Sequence, residues 1–233
     1  MNNKCGDQFA SSLVNSCKKL ETLDLSDISL MTDIGIEEIL EFYSKQLKSI
    51  SIRKAYRLTS TSISLIKTFQ KLQKLTLSNC LNITDDTLIN IINGIGNNLI
   101  FVHLESISIG DSALNVISQK CNKLEQLRLY NIQDFMDIKL LVSSEFLTKL
   151  KILIIQSCPL LVYGKLNRVA VSISYLEFLN CHSLSQETIY ELVSNCKFLE
   201  KFVYAGLIFT QKNKSLLKSK NIRYELYVEN HDL

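Results

Sequence analysis

Seven cysteines and three histidines are the side chains of this sequence best suited to hold a metal or to act as nucleophile and base. Cys158, Cys181 and His182 come nearest to a metal-ligand set. Cys158 and Cys181 are 23 residues apart, however, whereas a zinc clip places two cysteines within a few residues of each other. A Cys–His nucleophile needs its thiolate in a polar, accessible place. Six of the seven cysteines instead fall in two recurring slots, Cys80, Cys158 and Cys181 in one and Cys17, Cys121 and Cys196 in the other. The first slot elsewhere holds Ile28, Ala55, Ile107 and Ile132. A thiol at an apolar position packs as a small hydrophobe, and that explanation outweighs zinc or thiolate chemistry. Gly-rich phosphate loops, G-x-S-x-G and H-E-x-x-H are absent, and the carboxylates are scattered. Of the histidines, His103 lies at an outward strand position, His182 in a bend and His231 in the tail. The expectation is no catalytic residue, no metal, no cofactor and no enzyme activity.

The elements that position these residues recur. An apolar residue opens each unit at Leu20, Leu47, Leu72, Leu99, Leu124, Leu150, Ile173 and Leu199, at intervals of 23 to 27 residues (Leu20 to Leu47 is 27, Leu150 to Ile173 is 23). Two more apolar residues follow three and five positions later, from Leu23/Leu25 through Leu75/Leu77 to Phe202/Tyr204. L-x-x-L-x-L at this period is a leucine-rich repeat, one strand and one helix per unit. Leu75 and Leu77 then point inward while Lys74, Thr76 and Ser78 point out, because strand side chains alternate. A single unit cannot bury its own apolar face, so stacking is obligatory. The predicted fold is α/β: a right-handed leucine-rich-repeat solenoid, with a curved parallel sheet of about eight or nine strands and helices on the convex side.

One unit reads LQKLTLSNCLNITDDTL from Leu72 to Leu88, and Cys121, Leu124, Leu127 and Leu129 repeat its first half. C-x-x-L-x-x-L-x-L-x-x-C-x-x-I-T-D-x-x-L resembles the cysteine-containing leucine-rich repeats of F-box substrate receptors and of Amn1-like mitotic-exit antagonists. The resemblance covers roughly residues 17 to 210. It implies a protein-binding solenoid with a role in SCF-type ubiquitin ligation, as substrate receptor or regulator, its partners SCF components or a substrate. An F-box needs a longer segment than the nineteen residues ahead of Leu20. The expectation is therefore an Amn1-like inhibitor or scaffold, or a truncated receptor; a structural subunit of a larger assembly is the alternative. The Thr-Asp pair recurs at Thr32-Asp33 and Thr84-Asp85 and degrades to Thr59-Ser60, Gly110-Asp111, Met136-Asp137 and Ser185-Gln186. It is expected to cap helix N-termini.

Domain organisation follows from the period: a single solenoid over 1–233, with a helical half-repeat at 1–19, eight units over 20–220 and a terminal strand and tail at 221–233. Phe9, Leu13 and Cys17 are expected on the buried face of the first helix, and the terminal strand over Ile222 to Val228. Long apolar helical segments are expected around Ile138 to Phe146 and Leu166 to Val171. Pro159 suits a strand exit. The 26 Lys and Arg against 23 Asp and Glu leave a net charge of +3, which predicts no strong pull on nucleic acid. The basic run Lys212 to Lys220 reads as the solvated side of the last helix. No apolar stretch reaches membrane-spanning length and the first residues lack a signal's apolar core, so cytoplasm or nucleus is expected. In that compartment the sequons at Asn82 and Asn213 carry no meaning.

A further signal lies in the outward strand positions. In the first three units they are small or polar; from the fourth they turn aromatic, apolar and charged. Phe101, His103, Arg128, Tyr130, Ile152, Ile154, Tyr175, Glu177, Leu179 and Val203 are the candidate contacts for a protein partner on the concave face. Phe101, Tyr130, Ile152, Ile154, Tyr175, Leu179 and Val203 are expected to form one exposed apolar stripe, the kind of patch that marks an interaction site. Nucleic acid, membrane and small-molecule substrates are not expected.

Overall fold

Nine strands pair in parallel, in chain order, each with the next: β1 (Thr22–Leu25), β2 (Ser49–Arg53), β3 (Lys74–Ser78), β4 (Phe101–Glu105), β5 (Gln126–Tyr130), β6 (Ile152–Gln156), β7 (Tyr175–Leu179), β8 (Lys201–Ala205) and β9 (Arg223–Tyr227). The computed structural model describes residues 6–162, 172–206 and 209–227. The register never slips. Leu75 sits beside Ile50 and Val102, and Leu77 beside Ile52 and Leu104. Every L-x-L pair therefore stacks on its neighbours in one continuous buried column from Leu23/Leu25 to Phe202/Tyr204. The helices are α1 (Asp7–Ser16), α2 (Asp33–Tyr43), α3 (Ser60–Ile63), α4 (Asp85–Ile95), α5 (Asp111–Lys120), α6 (Lys139–Val142), α7 (Gln186–Asn195) and α8 (Gln211–Ser219). The terminal strand ends at Tyr227; Val228, His231, Leu207 and the Leu166–Val171 segment lie outside the described residues.

The chain leaves β1 to β7 through one left-handed residue each: Asp27, Lys54, Asn79, Ser106, Asn131, Ser157 and Asn180 all have φ near +50 to +60°. Asn and Asp tolerate this region best. From Lys54 on, the N–H of this residue donates to the carbonyl that ends the next strand, as in Asn131 to Gln156 (2.8 Å) and Ser157 to Leu179 (2.8 Å). The bend thus adds one rung to the ladder. The cysteine slot follows. Cys80 Sγ faces the carbonyls of Ile52 (3.6 Å) and Ser78 (3.5 Å), and Cys181 Sγ those of Ile155 (3.6 Å) and Leu179 (3.5 Å). Cys17, Cys121 and Cys196 close the C-termini of α1, α5 and α7. Burial pushes the thiols of Cys80 and Cys158 up to about 11, and those of Cys121, Cys181 and Cys196 up to about 12. These five should resist a thiol reagent until the chain is unfolded, while half-buried Cys17 reacts before them. Mass mapping of the labelled cysteines over time checks this, and rapid labelling of Cys121 would contradict it.

The Thr-Asp pair works differently from the expectation. Thr32, Thr59 and Thr84 do occupy N-cap positions, but their side chains make no capping bond. The aspartate instead caps the helix of the following repeat. Asp7 accepts from Thr32 N and Oγ1 (both 2.8 Å). Asp33 accepts from Thr59 N and Oγ1 (both 2.8 Å) and from Ser62 Oγ. Asp85 reaches Gly110 N and Ala113 N, Asp111 reaches Met136 N and Asp137 N, and Gln186 reaches Thr210 N. Where the second repeat has Ser60 in place of aspartate, Thr84 receives no such bond. Gly35 lets Asp7 approach: a Cβ there would lie 2.5 Å from its carboxylate oxygen. Among the described residues, Ser185 and Thr210 cap their own helices from the N-cap position, and Asp137 accepts from Lys139 N at the start of α6. Buried Asn213 joins this ladder, donating to Gln186 Oε1 (2.8 Å).

Three helical expectations change. The inward face of α1 is Ala10 and Val14, with Leu13 and Cys17 half-buried, while Phe9 is exposed; small residues let α1 lie close to α2. The fifth repeat has only the single turn of α6. Ser144 Oγ there accepts from Phe146 N and Leu147 N and donates to Ser118 O, which competes with helix continuation. The basic run is not simply solvated: Lys220 Nζ donates to Val193 O (2.8 Å) and Ser194 O (2.6 Å) at the end of α7, and Lys212 lies over Tyr190.

Removing one cross-repeat cap should cost about 0.5–2 kcal/mol. Asp33→Ala is expected to lower the urea midpoint within that range, and Ser60→Asp to raise it by supplying the missing cap to Thr84. For Asp7, the Thr32 backbone hydrogen bond holds the carboxyl below its ordinary 3.8. For Asp33, burial pulls the carboxyl upward, but the Ser62 and Thr59 bonds outweigh it and the net shift is also down. A carboxyl lowered in the fold stabilises fully above its unfolded value and loses that contribution as pH falls through the folded one. The acid limb of a stability–pH curve below about pH 4 should therefore flatten in Asp7→Asn/Asp33→Asn.

Candidate protein-binding surface

The first, third and fifth residues of each strand face away from the helices, and the register sets them in three rows. The first row runs Lys74, Phe101, Gln126, Ile152, Tyr175, Lys201; the second Thr76, His103, Arg128, Ile154, Glu177, Val203; the third Ser78, Glu105, Tyr130, Gln156, Leu179, Ala205. All ten candidate residues thus lie on one face, across β4 to β8.

Their exposure departs from the expected open apolar stripe. Ile154, Glu177 and Val203 are buried, and the other seven are half-buried. Long polar side chains lie over the apolar ones. The Arg128 guanidinium sits 5.6 Å from the Phe101 ring centre, and Lys201 Nζ 5.7 Å from that of Tyr175. His103 meets the Tyr130 ring edge-on at 4.8 Å. In the first units, too, Thr76 and Ser78 are buried although they face outward.

Glu177 is the hub. Its carboxylate accepts from the Tyr175 hydroxyl (2.5 Å) and from Gln156 Nε2 (2.5 Å), between buried Ile154 and Val203. Burial, and then the Glu177 carboxylate, push the Tyr175 phenol far up, so it stays a donor. A second cluster closes the far end: Lys201 Nζ pairs with Glu225 Oε1 (2.5 Å), and the Tyr227 hydroxyl donates to Glu225 Oε2 (2.8 Å). Toward the start, Glu105 accepts from Ser78 Oγ (2.8 Å) and lies 3.7 Å from His103 Nε2, which has no hydrogen-bond partner. Burial lowers the His103 pKa from 6.5 despite the opposing effect of Glu105, with Arg128 and Arg53 adding to the decrease.

The sequence singled out Glu177 and His103 but missed Gln156 as the partner of Glu177, Glu105 beside His103 and the Lys201–Glu225–Tyr227 cluster. The available signal was complementary polarity on adjacent strands, such as Lys201 in β8 and Glu225 in β9. Elsewhere, a cavity of about 440 Å³ opens on the helical side, lined by Ser60, Ser64, Lys67, Asp86 and Asn90. It sits between α4 and the continuation of α3, a 3₁₀ helix over Ser64–Thr68. Among the described residues no group of three or more His, Cys, Asp or Glu converges as metal ligands would.

Stacked strand–helix coils with an unbroken parallel register define the class: a leucine-rich-repeat-type α/β solenoid. No protein-family model and no curated protein matches the sequence. Among solved structures, a chain in the crystal structure of the Rad7 and Elc1 complex in yeast is similar, with a TM-score of 0.55 and 15% sequence identity over 97% of this chain and 73% of that one. At that identity the likeness is one of fold.

Glu177→Leu should strand the Tyr175 hydroxyl and the Gln156 amide, a loss of about 1–3 kcal/mol in urea unfolding. Adding Tyr175→Phe should recover part of it. A Glu177→Leu midpoint equal to wild type would refute the hub. His103 supplies a pH test. Because its folded pKa is lowered, the unfolded chain takes up the proton first, and stability falls as pH drops below about 6.5. His103→Gln should level that stretch of the profile.

Proposed function

We propose that this chain is a non-catalytic protein-binding solenoid that holds a protein partner on the concave face of β4 to β8. The carrying observation is preorganisation: Arg128 is set on Phe101, His103 on Tyr130, and Tyr175 on Glu177 before any partner arrives. Side chains already held in one rotamer lose less entropy on binding. Aromatic and Arg side chains are also those that dominate interface energies. The repeat pattern at Leu72 to Leu88 and at Cys121 to Leu129 supports a place near SCF-type ubiquitin ligation, in substrate recognition or in its regulation, in the cytoplasm or nucleus. A second reading, a scaffold subunit, is favoured by one observation: among the described residues the outer edge of β1 has no strand beside it, and Thr22 and Asp24 are exposed. Such an edge is a ready pairing surface.

Affinity capture with wild type and with Arg128→Ala/Tyr130→Ala separates the two. The concave reading predicts that the variant melts cooperatively yet loses the main partner, with ubiquitin-ligase components or their substrates among the proteins lost. An unchanged partner list overturns it. A partner lost on Thr22→Pro but kept in the concave variant supports the scaffold.

A further inference from the structure

The near-neutral total charge conceals a segregated one. All strands are parallel, so every segment entering a strand lies on one rim of the solenoid and every segment leaving a strand on the other. The entry rim is rich in exposed lysine: Lys19, Lys45, Lys48, Lys71, Lys123 and Lys149. On the exit rim, Asp33, Asp85 and Asp111 are occupied in capping backbone amides. Favourable interaction with helix C-termini accounts for lysines in last turns, such as Lys120 and Lys218. It does not account for Lys71, Lys74 and Lys123, which lie beyond the helices.

Between the second and fifth repeats the entry rim is hollow. A groove of about 270 Å³ is lined by Lys48, Gln70, Lys71, Gln73, Asn98, Ile100 and Lys123. Through Ile100 it adjoins a notch of about 190 Å³ lined by Lys74, Phe101, Glu125, Gln126, Lys151 and Ile152. Lys48 and Lys151 are already paired, with Glu21 (2.7 Å) and Glu125 (3.1 Å). Among the described residues, Lys71, Lys74 and Lys123 have no ion pair.

The geometry points to a second docking surface on this rim, one that takes an acidic peptide segment of a partner protein. Lys71, Lys74 and Lys123 receive its carboxylates, and the Phe101–Ile152 notch receives an apolar side chain between them. This goes beyond the concave-face reading: it shares Lys74, Phe101 and Ile152 with the first row of that face but rests on Lys71 and Lys123 of the rim, which that reading does not use. A single-stranded nucleic acid fits less well. Bases need open aromatic faces, and Phe101 already carries Arg128.

Fluorescence anisotropy tests it with a fluorescein-labelled poly-glutamate peptide bearing one central phenylalanine, and with a labelled thymidine oligonucleotide of matched length. The peptide should bind the whole chain at low ionic strength and weaken as salt is added. Lys71→Glu/Lys123→Glu should reduce its affinity about tenfold or more, since both charges are exposed and reversed. Tyr130→Ala should leave peptide binding unchanged, which keeps this surface separable from the concave one. A circular-dichroism melt confirms that each variant is folded. The proposal is overturned by no detectable peptide binding, by an unchanged affinity on charge reversal, or by an oligonucleotide that binds as tightly as the peptide. Loss on Tyr130→Ala alone would assign the peptide to the concave face and also remove the rim site.

Discussion

No coil of this chain can bury its own apolar edge. A strand of four or five residues and a helix of four to eleven expose the L-x-L pair on two sides, and only the coil before and the coil after can cover them. Everything else follows from the requirement that neighbours match. The register is constant because one slipped residue would turn a whole leucine column to the outside. The aspartates add a second tie on the helical side, each satisfying amides at the start of the next helix that would otherwise face solvent unpaired. Strand ladder, leucine column and carboxylate caps thus connect the same pairs of neighbours at three different distances from the concave face.

That arrangement also divides labour between the two rims and the open face. Carboxylates at helix starts are consumed internally, whereas lysines past the helix ends remain available to solvent. The concave face lies between them, with its apolar rings beneath charged tips. A partner meeting it would find guanidinium, imidazole and phenol groups already placed. Discrimination there would rest on matching those polar tips more than on apolar area, since Ile154 and Val203 are out of reach.

Spacing alone made much of the architecture legible. The period placed eight strands and the apolar alternation from Ile222 the ninth; the period also assigned inward and outward positions and set the two cysteine slots at the first bend and the helix end. It was silent on anything decided by the tips of side chains. Asp33 looked like a partner to its own helix because the pair Thr32-Asp33 is local in sequence, while its hydrogen bonds go to Thr59, a full repeat later. Ile154 and Glu177 looked exposed because alternation tells which face a residue takes, not whether Tyr175 and Gln156 fold over it. The brevity of α6 was hidden by good apolar spacing over Ile138 to Phe146; the Ser144 hydroxyl bonding to nearby backbone decided it. The left-handed residue ahead of each cysteine slot was readable in Asn79, Asn131 and Asn180, but Lys54 and Ser157 obscured it.

The strict adjacency of strands has a kinetic meaning. Each native contact joins residues about one period apart however many coils are added, so the loop that must close to form any new rung stays the same size. Such a chain assembles like a zipper from a nucleus of a few coils. Put under tension, it would give way turn by turn from an end, each step releasing a similar length of polypeptide.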